Sequence, residues 1–177
     1  TILSLAPDLI IAWQTGNPRA SINRLRDLGI TVYVAEPKDL RTVADHLDNV
    51  GVLTGTSPVA AAASEAFRRA LRTLNETYAR RTPVATFYQV WDQPLISAGG
   101  NELINDIITL CGGRNVFADI SMVAPKVSVE AVLARNPDVI IASGMDAERP
   151  EWLDRWRNWH SLTAVANDSL YFIPPDL

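Results

Sequence analysis

The residues with the clearest chemical potential follow the predicted β-strands, at the point where each strand ends. In an open parallel sheet, ligands bind beyond the carboxyl ends of the strands. The side chains found there are aromatic and polar with few charges: Trp13 and Gln14, Glu36, Gln89 to Pro94, Ser143 and Gly144, and Pro174 to Asp176. Such a set favours a large, flat, partly polar ligand that stacks on aromatic rings.

Some of these residues have simpler interpretations, which the sequence leaves open. Trp13 is also compatible with a side chain that only caps the sheet, and Trp91 with a loop aromatic that faces solvent. Cys111, the only cysteine, is compatible with a buried free thiol or with half of a disulfide whose partner lies beyond Leu177.

The local signatures of common enzymes are missing from this sequence. It contains no glycine-rich dinucleotide or phosphate loop and no G-x-S-x-G segment. His46 and His160 are the only histidines, which is too few for a His-rich metal site. We therefore predict no catalytic residue, no metal site and no cofactor.

The composition indicates a soluble globular protein. The chain has 177 residues, of which 47% are hydrophobic and 20% charged, and its net charge is −4. A chain without a basic stripe is a poor partner for nucleic acid, and no apolar run approaches the roughly 18 residues of a membrane span. Because the chain opens at Thr1 inside a predicted element, we expect an N-terminal portion to be missing.

One long helical segment, Ser57 to Arg81, organises the predicted elements around it. Ser57 suits the N-cap and Pro58 the first turn, and no further Gly or Pro occurs before Pro83. Apolar residues recur at helical spacing along the segment. A helix of this length is typical of a strut between two lobes.

The segments on either side of this helix resemble each other. Leu3 to Ala12 and Leu133 to Ala142 both read L-x-x-x-P-D-[LV]-I-I-A, a pattern of helix end, turn and apolar strand. We therefore predict an α/β fold with two similar lobes and parallel-type sheets. The predicted divisions are an N-terminal lobe, 1–56, an interlobe helix, 57–82, and a C-terminal lobe, 83–177.

Strand and helix patterns alternate within each predicted lobe, which implies parallel sheets. Before the long helix we predict strands at Leu9 to Trp13 and Thr31 to Ala35, with Asn17-Pro18 capping one helix and Gly51 ending the next. The second lobe shows three strands. Trp152, Trp156 and Trp159 fall on one face of a later helix, where core packing is the favoured interpretation.

Four further runs have a recognisable sequence: Pro7 to Trp13, Gln89 to Gly100, Cys111 to Phe117 and Val127 to Arg135. Together they resemble the substrate-binding protein family of ABC importers for cobalamin and iron-siderophores. The resemblance covers almost all of the chain. It implies two Rossmann-like lobes joined by one rigid helix. It also implies a further strand unit before this chain and a helix after it, so we expect truncation at both ends.

The resemblance also assigns roles to individual residues. It places Trp13 and Asp176 in the ligand cleft, beside Gln14, Gln89, Trp91 and Pro94, which the strand ends already suggest. It implies that Glu130 pairs with arginines on the transporter's membrane subunits and that Cys111 is half of a disulfide to the terminal helix. Ala124 and Ile96 stand where the cobalamin binder has a tryptophan and a phenylalanine, and Trp91 is a candidate to replace one ring.

The function implied by the resemblance is capture of cobalamin, or a related corrinoid, and its delivery to the permease of an ABC importer. The protein would be a non-enzymatic periplasmic monomer with a signal peptide in its precursor, or a lipid-anchored form at the cell surface. The alternatives are an iron-siderophore or haem-type chelate as ligand, or an α/β enzyme acting on a corrinoid precursor or nucleotide.

Overall fold

The computed structural model describes residues 2–143 and 148–174. It shows an α/β fold with two lobes joined by a long helix, as the sequence predicts. The first lobe contains a 3-10 turn, Ile2–Leu5, strand β1, Leu9–Trp13, helix α1, Arg19–Asp27, strand β2, Thr31–Ala35, and helix α2, Leu40–Leu53. Because β1 and β2 pair in parallel and Trp13 lies opposite Ala35, their carboxyl ends lie side by side.

Helix α2 begins at a capping box and continues further than its sequence suggests. The Asp39 carboxylate accepts a hydrogen bond of 2.8 Å from the Thr42 amide, and the Thr42 hydroxyl accepts one of 3.1 Å from the Asp39 amide. The prediction that Gly51 ends this helix is wrong, since Gly51 is buried inside it. Gly51 instead permits a close helix contact, because an added Cβ would lie 2.2 Å from the Ala60 Cβ.

Helix α3, Ser57–Tyr78, joins the two lobes without interruption over 22 residues, or about 33 Å. It ends before the predicted Arg81, and Thr56 rather than Ser57 is the N-cap residue. The buried Ser64 hydroxyl donates a 2.6 Å hydrogen bond to Asp48 on α2. Helix α3 is therefore fastened to the first lobe.

The second lobe contains a five-stranded sheet. Its elements are β3, Val84–Trp91, β4, Ile96–Ser97, α4, Leu103–Leu110, β5, Gly113–Asn115, α5, Val129–Arg135, β6, Val139–Ser143, a 3-10 segment, Glu151–Asn158, α6, Thr163–Ala166, and β7, Leu170–Ile173. The strand order is β4-β3-β6-β7, and β5 also pairs with β3. All pairs are parallel except the antiparallel β3–β4 pair. The sequence predicted only β3, β6 and β7.

The main core lies in the second lobe, between the sheet and the segments that cover one of its faces. Phe87, Phe117 and Trp156 form its aromatic centre, with ring centroids of Phe87 at 5.8 Å and 5.5 Å from the other two. Trp152 and Trp159 pack against this core. The core-packing interpretation of the tryptophans is confirmed, although Trp152 and Trp156 lie in a 3-10 segment and not an α-helix, and Trp159 directly follows it.

The Pro-Asp turn before β6 fixes the register of the sheet. The Asp138 amide donates to the Ala85 carbonyl at 2.8 Å, and the Ala85 amide donates to the Asp138 carboxylate at 2.8 Å. This pair of bonds attaches the start of β6 to the start of β3. No helix in the described part of the chain combines the length and hydrophobicity needed to cross a membrane.

Candidate ligand-binding site

A cleft of about 650 Å³ lies where the two lobes face each other. The first lobe contributes the ends of β1 and β2 and the turns after them, at Trp13, Thr15, Ala35, Glu36, Pro37 and Lys38. The second lobe contributes the start of α4 and one loop residue, at Asn101, Glu102, Leu103, Ile104 and Val123. Small-molecule sites have this size and this mixture of apolar walls with few polar groups.

Trp13 presents the aromatic surface of the first-lobe wall, with 60% of its surface exposed. Its amide donates to Asn17 Oδ1 at 2.7 Å, and its carbonyl accepts from the Asn17 amide at 2.9 Å. Asn17 thus closes the turn after β1, and Pro18 is the N-cap residue of α1. The prediction that the Asn17-Pro18 pair caps this helix therefore holds for Pro18 only. A Cβ at Gly16 would approach Trp13 Cε3 to 3.0 Å, so only glycine leaves the ring in this orientation without displacement.

Glu36 brings a carboxylate to the same wall. Its Oε2 accepts a 3.0 Å hydrogen bond from the Thr15 amide, and its Oε1 accepts a 3.1 Å bond from the Thr15 hydroxyl. These bonds connect the turns after β1 and β2. Glu36 is therefore a fixed acceptor whose oxygens already have partners.

A glycine allows the second-lobe wall to form. A Cβ at Gly99 would lie 1.9 Å from the Met122 carbonyl oxygen, because two chain segments pack main chain against main chain. The Gly99 amide donates to the Val123 carbonyl at 3.1 Å, and the buried Asn115 amide group donates to the Gly99 carbonyl at 3.2 Å. These bonds hold Val123 close to the loop that leads into Glu102.

Glu102 is the N-cap residue of α4 and lies half-buried on the cleft wall. Its Oε1 atom is buried and has no hydrogen-bond partner among the described residues. Burial raises the pKa of the Glu102 carboxyl, against the opposing effect of the Ile104 and Asn105 amides. The two amides lie near enough to affect this pKa, although neither makes a capping hydrogen bond of normal geometry to the side chain. Strand ends alone did not reveal Glu102, because it begins a helix.

Trp13 and Gln14 were both predicted to contact ligand, but they lie in different cavities. Trp13 lines the interlobe cleft. Gln14 lines a separate cavity of about 370 Å³ beside α1, together with Arg19, Asn23 and Arg26. Successive side chains of an extended chain point to opposite faces, which explains the separation.

Gln89 was also predicted as a ligand contact, and the structure places it in the core instead. It is 0% exposed, and its Oε1 accepts a 2.7 Å hydrogen bond from Trp156 Nε1. Side chains on β3 alternate between faces, and Gln89 shares the covered face with Phe87. The strand-end rule failed here because β3 continues past Gln89 to Trp91.

Trp91 and Pro94 are exposed near the carboxyl end of β3. Neither belongs to the described residues that line the cleft. Trp91 Nε1 donates to the Gln93 carbonyl at 3.1 Å. Their ligand contacts stay predictions. Asp176, the other predicted cleft residue, lies outside the described residues.

Glu130 is exposed in the first turn of α5. The N-cap residue Ser128 accepts a 3.2 Å hydrogen bond from the Ala131 amide. The Glu130 main-chain amide and then the Ser128 hydroxyl lower the pKa of the Glu130 carboxyl. The side chain is therefore an accessible anion, as the interpretation of Glu130 as a docking residue requires.

Cys111 is exposed directly after α4, so the alternative of a buried thiol is wrong. Its disulfide stays a prediction. Within the described residues, no group of three or more His, Cys, Asp or Glu side chains is arranged to hold a metal ion.

Comparison with known proteins places this geometry among characterised relatives. A vitamin B12-binding protein of Vibrio cholerae is 36% identical over 176 residues, which are 99% of this chain and 63% of the relative. A vitamin B12-binding protein of Yersinia pestis is 40% identical over 147 residues, covering 83% of this chain and 52% of the relative. The chain thus spans less than two thirds of the length of these curated relatives.

Solved structures share the same fold. The periplasmic vitamin B12-binding protein BtuF of Vibrio cholerae superposes with a TM-score of 0.84 at 36% identity, over 97% of this chain and 67% of that one. The periplasmic haem-binding protein HutB of Vibrio cholerae gives a TM-score of 0.81 at 21% identity, over 98% of this chain and 70% of that one. The periplasmic binding protein family matches residues 1–177. The chain belongs to the periplasmic binding protein family.

Proposed function

We propose that this protein captures cobalamin, or a closely related corrinoid, in the cleft between its lobes and delivers it to an ABC importer. The observation that carries the proposal is the cleft itself, where the exposed Trp13 ring faces a second wall of mixed polarity. An aromatic face of this kind packs against the flat surface of a macrocycle. The similarity to vitamin B12-binding proteins at 36% and 40% identity supports the same ligand.

Titration of the intact protein with cyanocobalamin, followed by calorimetry, tests this proposal. We expect saturable binding with a stoichiometry of one ligand per protein, since one cleft joins the lobes. A matched titration with a linear peptide of similar mass serves as the control for non-specific association. Absence of heat and of saturation at about 1 mM ligand, the weak end of measurable affinity, would reject the corrinoid assignment.

An iron-siderophore or haem-type chelate is the second candidate. Ala124 is exposed beside Val123, so aliphatic groups occupy the part of the wall where the resemblance led us to expect a ring. Fewer rings on this wall favour the iron-siderophore within this candidate class, because a ferric chelate of that kind is not a flat macrocycle. Competition between cyanocobalamin and hemin or a ferric hydroxamate decides between the candidates, and the tighter ligand identifies the class.

We further propose that the protein acts without catalysis, as a periplasmic or surface-anchored monomer. Its docking to the permease would use Glu130, an exposed anion that can meet arginines on the membrane subunits without leaving a core. Charge pairs at such a rim steer association and fix orientation more than they add affinity. Cys111 is free to pair in an oxidising compartment, because it is exposed.

A further inference from the structure

The ring of Trp13 packs against Gly16 in the turn that follows β1. A Cβ at Gly16 would lie 3.0 Å from Trp13 Cε3 and 3.3 Å from Trp13 Cδ2, so the indole lies directly against this glycine. The same indole lines the interlobe cleft. The position of Gly16 therefore helps to set the direction in which the ring faces the cleft.

The hydrogen-bonded pairing of β1 with β2 ends just before Gly16. Trp13 lies opposite Ala35 in the last pair of the ladder, and the Gln14 amide donates to the Ala35 carbonyl at 3.1 Å. In the described part of the chain, no main-chain hydrogen bond joins Thr15 or Gly16 to β2. A side chain makes this connection instead.

Glu36 directly follows β2 and supplies the connection. Its Oε2 accepts from the Thr15 amide at 3.0 Å, and its Oε1 accepts from the Thr15 hydroxyl at 3.1 Å. Two hydrogen bonds to one carboxylate fix direction as well as distance. Asn17 closes the turn within itself through its two bonds to Trp13, whereas Glu36 attaches the turn to the neighbouring strand. Because Gly16 is the next residue after Thr15, the Glu36 carboxylate also holds the glycine on which the ring packs.

Direct contact with the ligand is the alternative role for Glu36, because this residue also lines the cleft. Both of its oxygens already accept hydrogen bonds from Thr15, which favours the indirect role. A ring that is already held in one orientation loses less conformational entropy when a ligand binds than a mobile ring does. Glu36 can therefore contribute to affinity without touching the ligand.

We propose that Glu36 is a positioning residue, which acts through Thr15 and Gly16 to hold the Trp13 ring in the orientation that receives the ligand. This inference rests on the proposed binding of a corrinoid in the cleft. It assigns the orientation of the aromatic wall to a carboxylate on the neighbouring strand.

The first part of the test needs no ligand. The intact protein is labelled with fluorotryptophan, and the fluorine NMR line of Trp13 is identified by its absence from Trp13→Phe. We expect Glu36→Ala to shift or broaden this line, because the turn that supports the ring is released. Glu36→Gln should restore it, since the new side-chain oxygen can accept from the Thr15 amide while its NH2 group donates to the Thr15 hydroxyl. The lines of the core tryptophans should stay in place.

Calorimetric titration with cyanocobalamin tests the consequence for binding. Glu36→Ala should bind about two- to tenfold more weakly than wild type, because binding must now order the Trp13 side chain. Glu36→Gln should recover most of this loss. In a Trp13→Ala background, Glu36→Ala should cause no further loss, because the ring on which it acts is absent.

Asp27→Ala is the matched control for the loss of a negative charge. Asp27 is an exposed acidic residue of the first lobe and is not among the described residues that line the cleft. This variant should keep both the Trp13 line and the affinity of wild type. Melting curves of all variants separate loss of fold from loss of ring orientation.

An unchanged Trp13 line in Glu36→Ala would overturn the inference. An equal loss of affinity from Glu36→Ala with and without the Trp13 ring would also overturn it, because Glu36 would then contact the ligand itself. In both cases wild type still binds cyanocobalamin and the proposed function stands. If wild type does not bind cyanocobalamin, the proposed function fails, and the NMR spectra of the free protein still decide whether Glu36 positions Trp13.

Discussion

The indole N–H of Trp156 donates a 2.7 Å hydrogen bond to Oε1 of Gln89, and both side chains are buried in the second-lobe core. The bond joins the 3-10 segment to the centre of the sheet across the core. The bond satisfies the buried Gln89 side-chain oxygen. Without a partner, a buried polar group of this kind would destabilise the fold. Gln89 is thereby unavailable to ligand.

Substitution Gln89→Leu should therefore destabilise the protein. The change leaves the Trp156 N–H unpaired in the core, and we expect the free energy of unfolding to fall by about 1–3 kcal/mol. Urea denaturation measures this loss. The control is the double-mutant cycle with Trp156→Phe, which removes both partners and should show a clear coupling energy. Strict additivity of the two substitutions would contradict the importance of the bond.

The packing of α2 against α3 gives a second prediction, at Gly51. Gly51→Ala should destabilise by about 1–3 kcal/mol, because the new Cβ would lie 2.2 Å from the Ala60 Cβ and the helices must separate. Combining it with Ala60→Gly should recover part of the loss, although Ala60→Gly alone weakens the helix by about 1 kcal/mol. Thermal unfolding of the three variants decides the matter. A stabilised Gly51→Ala variant would mean that helix propensity dominates and that the contact is loose.

Because of the Asp48 carboxylate, the stability of the fold should decrease as the pH falls below about 4. The Ser64 hydroxyl and then the Arg68 guanidinium lower the pKa of Asp48 from 3.8. The folded protein therefore binds this proton less tightly than the unfolded chain. The stabilisation is fully present above about pH 4 and is lost as the pH falls through the lowered folded value.

Substitution Asp48→Asn tests this linkage. We expect a lower melting temperature than wild type at neutral pH, and a difference that shrinks towards about pH 2 as wild-type Asp48 becomes protonated. Asp45→Asn is the matched control, because the Asp45 side chain is 66% exposed against 39% for Asp48 although both accept from Arg68. A difference between Asp48→Asn and wild type that stays constant down to low pH would contradict the linkage.

Replacing the exposed tryptophan of each lobe should affect ligand binding to different extents. Trp13→Ala should weaken cyanocobalamin binding by about tenfold or more, because a ring that lines the cleft is lost. Trp91→Ala is the comparison, since Trp91 is also exposed but is not among the described cleft residues. We expect a smaller effect there. An equal or greater loss of affinity in Trp91→Ala would indicate that the ligand binds nearer the end of β3.

Substitution of Glu130 should affect delivery to the permease but not ligand capture. Glu130→Ala should leave cyanocobalamin affinity and melting almost unchanged, because the side chain is exposed and is not among the described residues that line the cleft. Association with the permease and uptake should weaken. Glu151→Ala, another exposed acidic residue of the same lobe, controls for a general loss of negative charge. Normal uptake by Glu130→Ala would mean that Glu130 only stabilises the start of α5.

The sequence predicted those elements whose residues carry their own pattern. The bounds of β1 and β2 agree with the structure, because an apolar run forms each strand, a Pro-Asp turn precedes β1 and Gly29 precedes β2. β5 was missed because Gly113, Arg114 and Asn115 form no apolar alternation and become a strand only by pairing with β3. Gly51 was misread because a helix-ending glycine and a close-packing glycine look alike in sequence.

The candidate site was predicted in part for a similar reason. Trp13 is the last residue of an apolar strand, so its place at a ligand-binding edge could be predicted from the sequence. Glu102 looks like an ordinary polar residue before a helix, and only the approach of the second lobe places it in the cleft. The single local signal was an acidic residue directly before the apolar pattern of α4.

The fastening of α3 to α2 through Ser64 and Asp48 has a kinetic consequence. We expect the first lobe and the long helix to move as one body, with any lobe movement confined to the few residues between Tyr78 and Val84. On that basis we expect the cleft to be nearly formed before a ligand arrives. Association should follow second-order kinetics up to high ligand concentration, without the plateau that a slow opening step imposes. The time a ligand spends in the cleft, and not the time needed to close it, should set the affinity.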